Sequence, residues 1–573
     1  MARPNLKRIE VENFKSIKDE NLDLSDNSIF IGKNNSGKSN VVDVFRTVQQ
    51  VVQNDDRREG WFKKRVTDQD TSKKIKLGIV FDFPDDRREE LVERADPMKR
   101  RRRKHLNSIE SGEEFTELKV EYEITGRTRR DWESSFFVKF DNKWQKAKEL
   151  NRDNIFPNLS STRSDLTKSI LTWDFVSPFR SPEDSGKARY TTELASNGSN
   201  LIPILHSLQT NNPSQFDSLC ETFTEIMEGV ELLSVEFTEE GGSDLTVRID
   251  EKGLSNPLEF SDISSGAKEI LVLLAQIYNA AEQADILFLE EPELHLHPGA
   301  EQDLYQAISS ISGEETGVII STHSDVFVNR ADASDIIRVA KEPFTSLRSI
   351  SPDQINVELR DLGYDKSDLL QSEVVVFVEG LSDKRILREF AKTAGIEPSE
   401  QGVRFVELDD INTMKRDAKS LVKLLSAFDI PHLFVADRHG EPRESVEGKI
   451  YDEMKRDDGE GWWDASLDNV FVWDAYGIEK YLLDPRAISE VVEIEKDIVR
   501  SIIDDSSDIE DKAIVLSKIY GEKYSDHESP ENIYDKTRDG MEIAKEIREE
   551  DLPEDIVEFV REVSERVKVN NGK

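Results

Sequence analysis

The octapeptide GKNNSGKS, residues 32–39, fits the phosphate-binding pattern G-x-x-x-x-G-K-[ST] at each fixed position. A short apolar run precedes it and valines recur at helical spacing after it, which predicts a strand, a tight loop and a helix. In such a loop, backbone N–H groups surround phosphates at the positive end of the helix. We therefore expect a nucleoside triphosphate site in which Lys38 meets the β- and γ-phosphates and Ser39 holds Mg²⁺. The residues expected to line it are Gly32, Asn34, Asn35, Ser36, Gly37, Lys38 and Ser39.

Two later segments resemble parts of P-loop ATPases of the ABC type. The stretch ILFLEEP, residues 286–292, is an apolar strand ending in two acids, like a Walker B element. The stretch ISTHS, residues 320–324, is similar to the segment that carries their switch histidine. The resemblance implies that Glu290 orients Mg²⁺ or its water shell, that Glu291 polarises the attacking water and that His323 senses the γ-phosphate. Glu290 replaces the usual Asp, which weakens the case for direct coordination of the ion.

A serine–glycine loop before a predicted helix resembles the signature loop of the same ATPases. Its candidate nucleotide-binding residues are Ser264 and Gly266, within ISSG at residues 263–266. In those ATPases the loop covers the nucleotide of a neighbouring head, and this sequence has one set of the motifs. The resemblance therefore implies a homodimer or a higher homo-oligomer.

Two stretches around these motifs resemble the overcoming-lysogenization-defect (OLD) family. They are IEVENFKS, residues 9–16, and EEPELHLHP, residues 290–298. Glu293, His295 and His297 could instead form a metal cluster, but the resemblance accounts for them as part of the loop between two heads. The OLD resemblance implies an ATPase head fused to a DNA-cleaving domain.

A second series of strands and helices begins near residue 374 and resembles the Toprim fold of topoisomerases, DnaG-type primases and OLD nucleases. The segments that carry this resemblance are VVVFVEGLSD at 374–383, HLFVADRHG at 432–440 and GIEKYLL at 477–483. Acids at the ends of adjacent strands repel one another, and a hard cation such as Mg²⁺ or Mn²⁺ relieves that repulsion. The resemblance implies that Glu379 and Asp383 hold one ion and that Asp437 and Glu479 hold a second.

Alternatives remain open at this second site. Toprim domains usually have Asp where this sequence has His439, which indicates an Mn²⁺ preference, a one-metal variant or a weakened nuclease. OLD nucleases often need a basic residue near the leaving group, and Lys536 and Lys545 are both candidates, of which we select Lys536. The residues to which we assign catalysis are Glu379, Asp437 and Lys536 here, and Glu291 and His323 in the first half.

Composition limits the other function classes. The 573 residues carry a formal net charge of −40, so contact with DNA needs local basic patches or bridging cations. The run KRRRRK at residues 99–104, with Arg127, Arg129 and Arg130 nearby, is one candidate patch, and a solvated helix is the alternative. Cys220 is the only cysteine, which excludes a disulfide framework and a cysteine-based metal site. No apolar stretch is long enough to span a bilayer, so we expect a cytoplasmic protein.

These observations predict an α/β fold in two parts. We expect an ABC-type ATPase head over residues 1–355, with a charged insertion at about 85–200, and a parallel-sheet Toprim domain over 356–573 with a helical C-terminal tail. The resemblance implies nucleotide-gated cleavage of double-stranded DNA, with ATP and Mg²⁺ or Mn²⁺ as cofactors.

Two further readings concern partners and activity. Length and domain order are similar to the nuclease subunit of the Gabija anti-phage system, which works with a separate superfamily-1 helicase. The alternative function is a DNA-bridging, recombination-type ATPase whose Toprim domain does not cleave. A topoisomerase or primase is disfavoured because we find no assignable strand-passing tyrosine and no zinc-binding module.

Overall fold

The chain is divided into two compact units, Met1–Ser349 and Ile350–Lys573. The boundary at 355/356 that we expect from the sequence lies outside the described residues. No helix in the described part of the chain is long and apolar enough to cross a lipid bilayer. The computed structural model describes residues 5–25, 27–53, 62–82, 117–126, 132–140, 143–146, 173–176, 182–188, 191, 194–195, 197–227, 229–238, 244–280, 284–311, 316–341, 343–349, 366–455, 465–523 and 534–570.

The first unit alternates between strands and helices. Its strands are β1 (Asn5–Phe14), β2 (Ile17–Asp23), β3 (Ile29–Ile31), β4 (Ile75–Asp82), β5 (Glu117–Ile124), β6 (Trp132–Phe140), β7 (Lys143–Lys146), β8 (Trp173–Val176), β9 (Gly186–Lys187), β10 (Val230–Phe237), β11 (Asp244–Glu251), β12 (Leu258–Glu259), β13 (Ile286–Glu290), β14 (Gly317–Ser321), β15 (Ile336–Lys341) and β16 (Thr345–Ser349). Its α-helices are α1 (Lys38–Gln53), α2 (Leu201–Asn211), α3 (Pro213–Ile226), α4 (Ser265–Ala280), α5 (Pro298–Ile311) and α6 (Asp325–Arg330).

Twelve of these strands form one mixed sheet, in the order β7-β6-β5-β4-β1-β2-β16-β15-β3-β14-β13-β8. Neighbours from β7 to β2 are antiparallel, whereas β15, β3, β14, β13 and β8 run parallel. The strands β13 and β14 are short apolar runs buried along their whole length, as expected for parallel strands covered on both faces. The predicted ATPase-head fold is confirmed, but its sheet is mixed, because strands from the charged segment 75–146 join it in antiparallel pairs.

The described part of the first unit also contains a smaller antiparallel sheet. Its strands are paired in the order β10-β11-β12, and β9 pairs with β11. The helices α2 and α3 contact β10.

The second unit has four short strands and ten α-helices among its described residues. The strands are β17 (Val374–Val378), β18 (Val403–Glu407), β19 (His432–Ala436) and β20 (Val470–Val472). The α-helices are α7 (Lys366–Leu370), α8 (Leu381–Thr393), α9 (Pro398–Gln401), α10 (Ile411–Ala427), α11 (Arg443–Lys455), α12 (Pro485–Val492), α13 (Lys496–Asp505), α14 (Lys512–Lys523), α15 (Asp539–Glu546) and α16 (Glu554–Asn570).

The four strands form a parallel sheet in the order β18-β17-β19-β20. The strands β17 and β19 are adjacent and fully buried, so their carboxyl ends meet at one edge of the sheet. The tail helix α16 covers the core: its apolar stripe Ile556, Val560, Val563 and Val567 is buried. The ring centre of Phe559 on this helix is 5.6 Å from that of Trp473. The second unit is the parallel-sheet α/β domain that the sequence predicts.

Candidate functional site

The phosphate-binding loop lies between β3 and α1, at the carboxyl edge of the parallel strands. Gly32 and Gly37 have φ angles of 152° and 111°. A Cβ at Gly32 would collide with the carbonyl oxygen of Val339, and one at Gly37 with the side chain of Thr345. The two glycines therefore allow β15 and β16 to pack directly against the loop.

The loop presents polar groups to solvent in the manner of an anion site. Lys33, Asn34, Asn35 and Ser39 are exposed. Ser36 is buried, and its hydroxyl finds no hydrogen-bond partner in the described part of the chain. The N-terminal end of α1 adds a partial positive charge at the same place. These groups fit a triphosphate.

Lys38 is buried at the base of the loop and contacts acceptors of its own chain. Its Nζ lies 2.7 Å from the carbonyl oxygen of Gly32, 3.3 Å from that of Lys33 and 2.6 Å from Nε2 of His323. Burial lowers the pKa of Lys38 to about 8, against the charge of two nearby glutamates. Burial and then the Lys38 charge lower the pKa of His323, so its ring is held neutral and accepts through Nε2.

The strands β13 and β14 bring Glu290, Glu291 and His323 to the same edge of the sheet. Glu290 is in register with Ser321, and the backbone N–H of Glu291 donates to the carbonyl oxygen of Ser321 at 2.8 Å. Nε2 of His323 is 3.7 Å from Oε1 of Glu291. The structure therefore brings together Lys38, Glu291 and His323.

Glu290 is buried and forms an ion pair with Arg46 of α1. Burial raises the pKa of Glu290, and the charge of Arg46 opposes that rise. Motif matching misses Arg46. A signal was present, because Ser39, Asp43 and Arg46 follow one another at i, i+4 and i+7 and so share one face of the helix.

The serine–glycine loop begins α4. Oγ of Ser264 accepts a hydrogen bond from the backbone N–H of Ala267 at 3.2 Å, as a capping residue does, and Gly266 lies in the first turn. A Cβ at Gly266 would meet nothing within 4 Å. This end of the helix is sterically open, and its contact with the nucleotide of a second copy stays a prediction.

The residues that could have formed a metal cluster after β13 have separate partners. Glu293 is buried and accepts hydrogen bonds from the side chain and backbone of residues 322–323, at 2.7 and 2.6 Å. Nδ1 of His295 lies 2.7 Å from Oε2 of Glu269, and Nδ1 of His297 accepts from a backbone N–H two residues later. Their positions do not favour the metal alternative.

In the second unit, Glu379 and Asp437 follow β17 and β19 directly. Because these strands are parallel neighbours, the two acids meet: the backbone N–H of Asp437 donates to Oε1 of Glu379 at 2.7 Å. The other oxygen of Glu379 is 3.1 Å from Nε2 of His439. His439 has a φ of 50°, and its side chain is 48% exposed. His439 thus occupies a carboxylate oxygen that a cation would otherwise use.

Asp383 lies in the first turn of α8, where it accepts from the backbone N–H of Gly380 at 3.1 Å. Burial, then Glu479, then Glu379 raise its pKa to about 7. Burial followed by Asp383 raises the pKa of Asp437 well above its usual value. The acids therefore repel one another electrostatically, as expected for carboxylates in one cluster.

Glu479 and Lys536 complete this cluster. Glu479 lies in a short 3-10 helix, Ile478–Leu482, and its Oε1 forms an ion pair with Nζ of Lys536 at 2.7 Å. A Cβ at Gly477 would lie 2.9 Å from Oε2 of Glu479 and 3.1 Å from Oδ2 of Asp437, which shows how close the two acids are. Lys545, the other candidate, instead pairs with Glu542 on its own helix at 2.8 Å.

Asp511, just before α14, is a neighbour that sequence patterns did not identify. Burial lowers the pKa of Lys536, but Glu479 and then Asp511 outweigh it, so the pKa of this lysine is raised. Lys536 is therefore firmly protonated. No spacing rule ties residue 511 to the strand ends, so sequence reasoning had no signal for it.

The chemistry of this cluster fits a hard divalent cation. Its oxygen donors are Glu379, Asp383, Asp437 and Glu479, and their mutual repulsion is the kind that a bound cation relieves. Within the described residues, no three side chains of His, Cys, Asp or Glu are arranged to hold an ion as they stand. The four carboxylates would have to draw together around it. The basic run at 99–104 and Arg127, Arg129 and Arg130 lie outside the described residues.

The fold and the two sites define a protein class: a P-loop ATPase head with a mixed sheet, followed by a Toprim domain. Residues 28–329 match the family model described as "AAA domain, putative AbiEii toxin, Type IV TA system". Residues 370–438 match the model described as "Overcoming lysogenization defect protein-like, TOPRIM domain". The chain belongs to the first of these families, which covers more than half of it. It is an ATPase–Toprim protein whose second unit is similar to the Toprim domain of the OLD family.

Two curated relatives are similar to parts of the chain. The Old nuclease of Escherichia phage P2 is 26% identical over 166 residues, which cover 26% of this chain and 27% of the relative. The OLD nuclease of Thermus scotoductus is 25% identical over 207 residues, which cover 34% of this chain and 37% of the relative. The chain thus matches only about a quarter to a third of the length of these relatives.

Solved structures of SMC heads are also similar. One is an SMC head bound to the C-winged helix domain of ScpA, with a TM-score of 0.39 and 15% identity over 61% of this chain and 99% of that chain. Another is the SMC head domain from Thermotoga maritima, with a TM-score of 0.33 and 14% identity over 61% of this chain and 99% of that chain.

Proposed function

We propose that the chain is a metal-dependent DNA endonuclease regulated by ATP. The observation that carries this proposal is the cluster at the carboxyl edge of the second sheet: four neighbouring carboxylates with one protonated lysine among them. A chain with a net charge of −40 has no general attraction for a polyanion such as DNA. The acidic cluster can therefore bind a DNA phosphate mainly when cations occupy it.

Each residue of the cluster has a role in this proposal. Glu379, Asp383, Asp437 and Glu479 would hold Mg²⁺ or Mn²⁺, and the ion would supply an activated water and a positive charge for the leaving 3′ oxygen. Lys536 supplies a fixed positive charge beside Glu479 and so assists the leaving group. His439, which contacts Oε2 of Glu379, makes Mn²⁺ the better cofactor, since imidazole suits softer ions.

The first unit is proposed to bind and hydrolyse ATP. Lys38 exchanges its contacts with Gly32 and His323 for the β- and γ-phosphates, and Ser39 with Glu290 would hold Mg²⁺ or its water shell. Glu291 orients the attacking water, and His323, released from Lys38, reports the presence of the γ-phosphate. Ser264 and Gly266 at the open end of α4 serve the nucleotide of a second copy, which makes the working form a homodimer or larger.

We further propose a cytoplasmic role in defence against phage, with double-stranded DNA as substrate and ATP state gating cleavage. The names of the two curated relatives support nuclease activity. The Gabija resemblance adds a separate superfamily-1 helicase as partner. A gene for such a helicase next to this one would support that partner, and its absence would count against the Gabija assignment.

One observation favours a second candidate function, a DNA-bridging recombination-type ATPase. Nε2 of His439 already lies 3.1 Å from Glu379, at a position where Toprim domains use Asp. If the imidazole prevents ion binding, the second unit binds DNA without cutting it.

The test is plasmid cleavage by the full chain in Mg²⁺ and then in Mn²⁺, each with and without ATP. We compare wild type with Glu379→Ala and with Glu400→Ala, which changes an exposed glutamate of the same unit. We expect cleavage by wild type and Glu400→Ala, and its loss in Glu379→Ala. ATP turnover by wild type with no cleavage in either metal would instead support the bridging ATPase.

A further inference from the structure

A line of alternating charges crosses the nucleotide site of the first unit. Lys15, in the turn after β1, forms an ion pair with Asp43 of α1. Nη1 of Arg46 is 3.6 Å from Oδ1 of Asp43, and its Nη2 is in ion-pair contact with Oε1 of Glu290. Three elements of the unit, the β1–β2 turn, α1 and β13, are thereby joined through side-chain charges.

Arg46 is held in this position by more than its ion pairs. Its guanidinium carbon lies 5.2 Å from the ring centre of Phe175, on β8, and the side chain is 30% exposed. An arginine stacked on a ring and paired at both ends loses little further freedom when it acts, because its planar group is already oriented. The position of Arg46 is therefore set by its other contacts, and Arg46 in turn orients the side chain of Glu290.

The pairing changes what Glu290 can offer to an ion. Its side chain is 7% exposed, and one of its two oxygens is in ion-pair contact with the guanidinium. The pair Arg46–Glu290 has no net charge, so its attraction for a dication is much weaker than that of a lone carboxylate. The Glu290 side chain is also one methylene longer than that of the Asp usual at this position, and its carboxylate contacts Arg46.

We propose that Arg46 is a positioning residue that keeps Glu290 out of direct contact with the nucleotide's Mg²⁺, so that the acid holds the ion through water. The inference rests on the proposed nucleotide site and does not require hydrolysis. It accounts for the Glu at the end of β13: with Arg46 in place, a longer acid can serve the water shell and the arginine together.

The experiment measures ATPγS binding by the full chain in a series of Mg²⁺ concentrations, by calorimetry, for wild type and Arg46→Gln. Removing the arginine leaves Glu290 without its cationic partner and free to bind the ion directly, and the half-saturating Mg²⁺ concentration should fall about tenfold, as roughly 1.4 kcal/mol of added attraction would give. With Mn²⁺ in place of Mg²⁺, water-proton relaxation of Arg46→Gln should show one fewer water molecule on the bound ion than in wild type, because the Glu290 carboxylate takes the place of that water.

A double-mutant comparison separates positioning from the arginine's own repulsion of Mg²⁺. If Arg46 acts through Glu290, then Arg46→Gln in a Glu290→Gln background should shift the half-saturating Mg²⁺ by less than about threefold. A shift of the same size in both backgrounds, or no shift in the wild-type background, overturns the inference. Wild type that binds ATPγS but never turns over ATP overturns the proposed hydrolysis and leaves this inference intact.

Two control variants test whether the effect comes from removing any positive charge in the unit or from unfolding of the variant. Arg8→Gln removes a similarly exposed arginine of the same unit, paired with Asp23, and should leave the Mg²⁺ dependence unchanged. If Arg46→Gln does not fold, Arg46→Lys keeps the charge but not the planar fork, and a shift of about threefold in the same direction is expected. Wild type that binds no ATPγS overturns the inference together with the nucleotide site.

Discussion

Replacing Gly477 with Ala would disturb the carboxylate cluster of the second unit and little else. The backbone there has φ of −156° and ψ of 170°, an extended conformation that alanine adopts without strain. The added Cβ would stand 2.9 Å from Oε2 of Glu479 and 3.1 Å from Oδ2 of Asp437. An ordinary contact of this kind begins at 3.4 Å, so the two oxygens must retreat by about 0.5 and 0.3 Å.

The expected cost to catalysis follows from these displacements. A catalytic group must be held within about 0.5 Å of its working position, and a misplacement of about 1 Å can lower the rate about a hundredfold. Since both acids move by up to half an ångström, we expect DNA cleavage by Gly477→Ala to fall about tenfold to thirtyfold. The melting temperature should change by no more than about 3 °C, because the strands beneath the cluster keep their packing.

The assay is single-turnover plasmid cleavage in saturating Mn²⁺, with thermal melting of the same samples. The matched control is Gly448→Ala, within α11, where a Cβ meets nothing within 4 Å. That change should leave cleavage intact and raise stability by up to about 1 kcal/mol, as Gly to Ala does inside a helix. Wild-type cleavage by a normally folded Gly477→Ala protein would refute the claim that Asp437 and Glu479 work as one group.

Three more outcomes are expected. Because burial, Glu479 and Glu379 raise the pKa of Asp383 to about 7, the folded chain keeps a proton there that the unfolded chain releases above about pH 4. Melting in EDTA should therefore show stability falling from about pH 4 to 7, with a smaller slope in Asp383→Asn. Because burial lowers the pKa of Lys38 to about 8, ATPγS affinity should weaken as the pH rises through 8, but not in Lys38→Arg. His439→Asp should raise the Mg²⁺-to-Mn²⁺ ratio of cleavage rates about tenfold, and an unchanged ratio would separate His439 from metal choice.

The strands that carry the second site were predictable to the residue. Val374–Val378 has the bounds that its apolar run indicates, and His432–Ala436 is an apolar run preceded by one histidine. Both end where the first acid appears, as expected for buried parallel strands. The mixed character of the first sheet was not predictable in the same way. β5 buries alternate residues for much of its length, and such a pattern does not say which strand will be its neighbour.

The sites were predictable as far as local patterns reach. The loop at 32–39 and the acids at the strand ends can be recognised from the residues immediately around them in the sequence. The fold of each unit then brings its own site residues together. Lys536 and Lys545 were equivalent by spacing, and only the path of the chain places one of them on Glu479. Arg46 meets Glu290 across 244 residues of sequence, and no local rule states such a pair.

The two acidic sites differ in how their charge is balanced, and this difference determines what each can bind. In the first unit two of the acids already have partners: Arg46 on Glu290, and hydrogen-bond donors on Glu293. That site can therefore receive a polyanion such as a triphosphate without first binding several cations. In the second unit four carboxylates share Lys536 and His439, and burial with mutual repulsion raises the pKa values of Asp383 and Asp437. For the proposed DNA substrate we therefore expect divalent ions to bind at this site first, because they must reverse its charge before a nucleic-acid phosphate can approach.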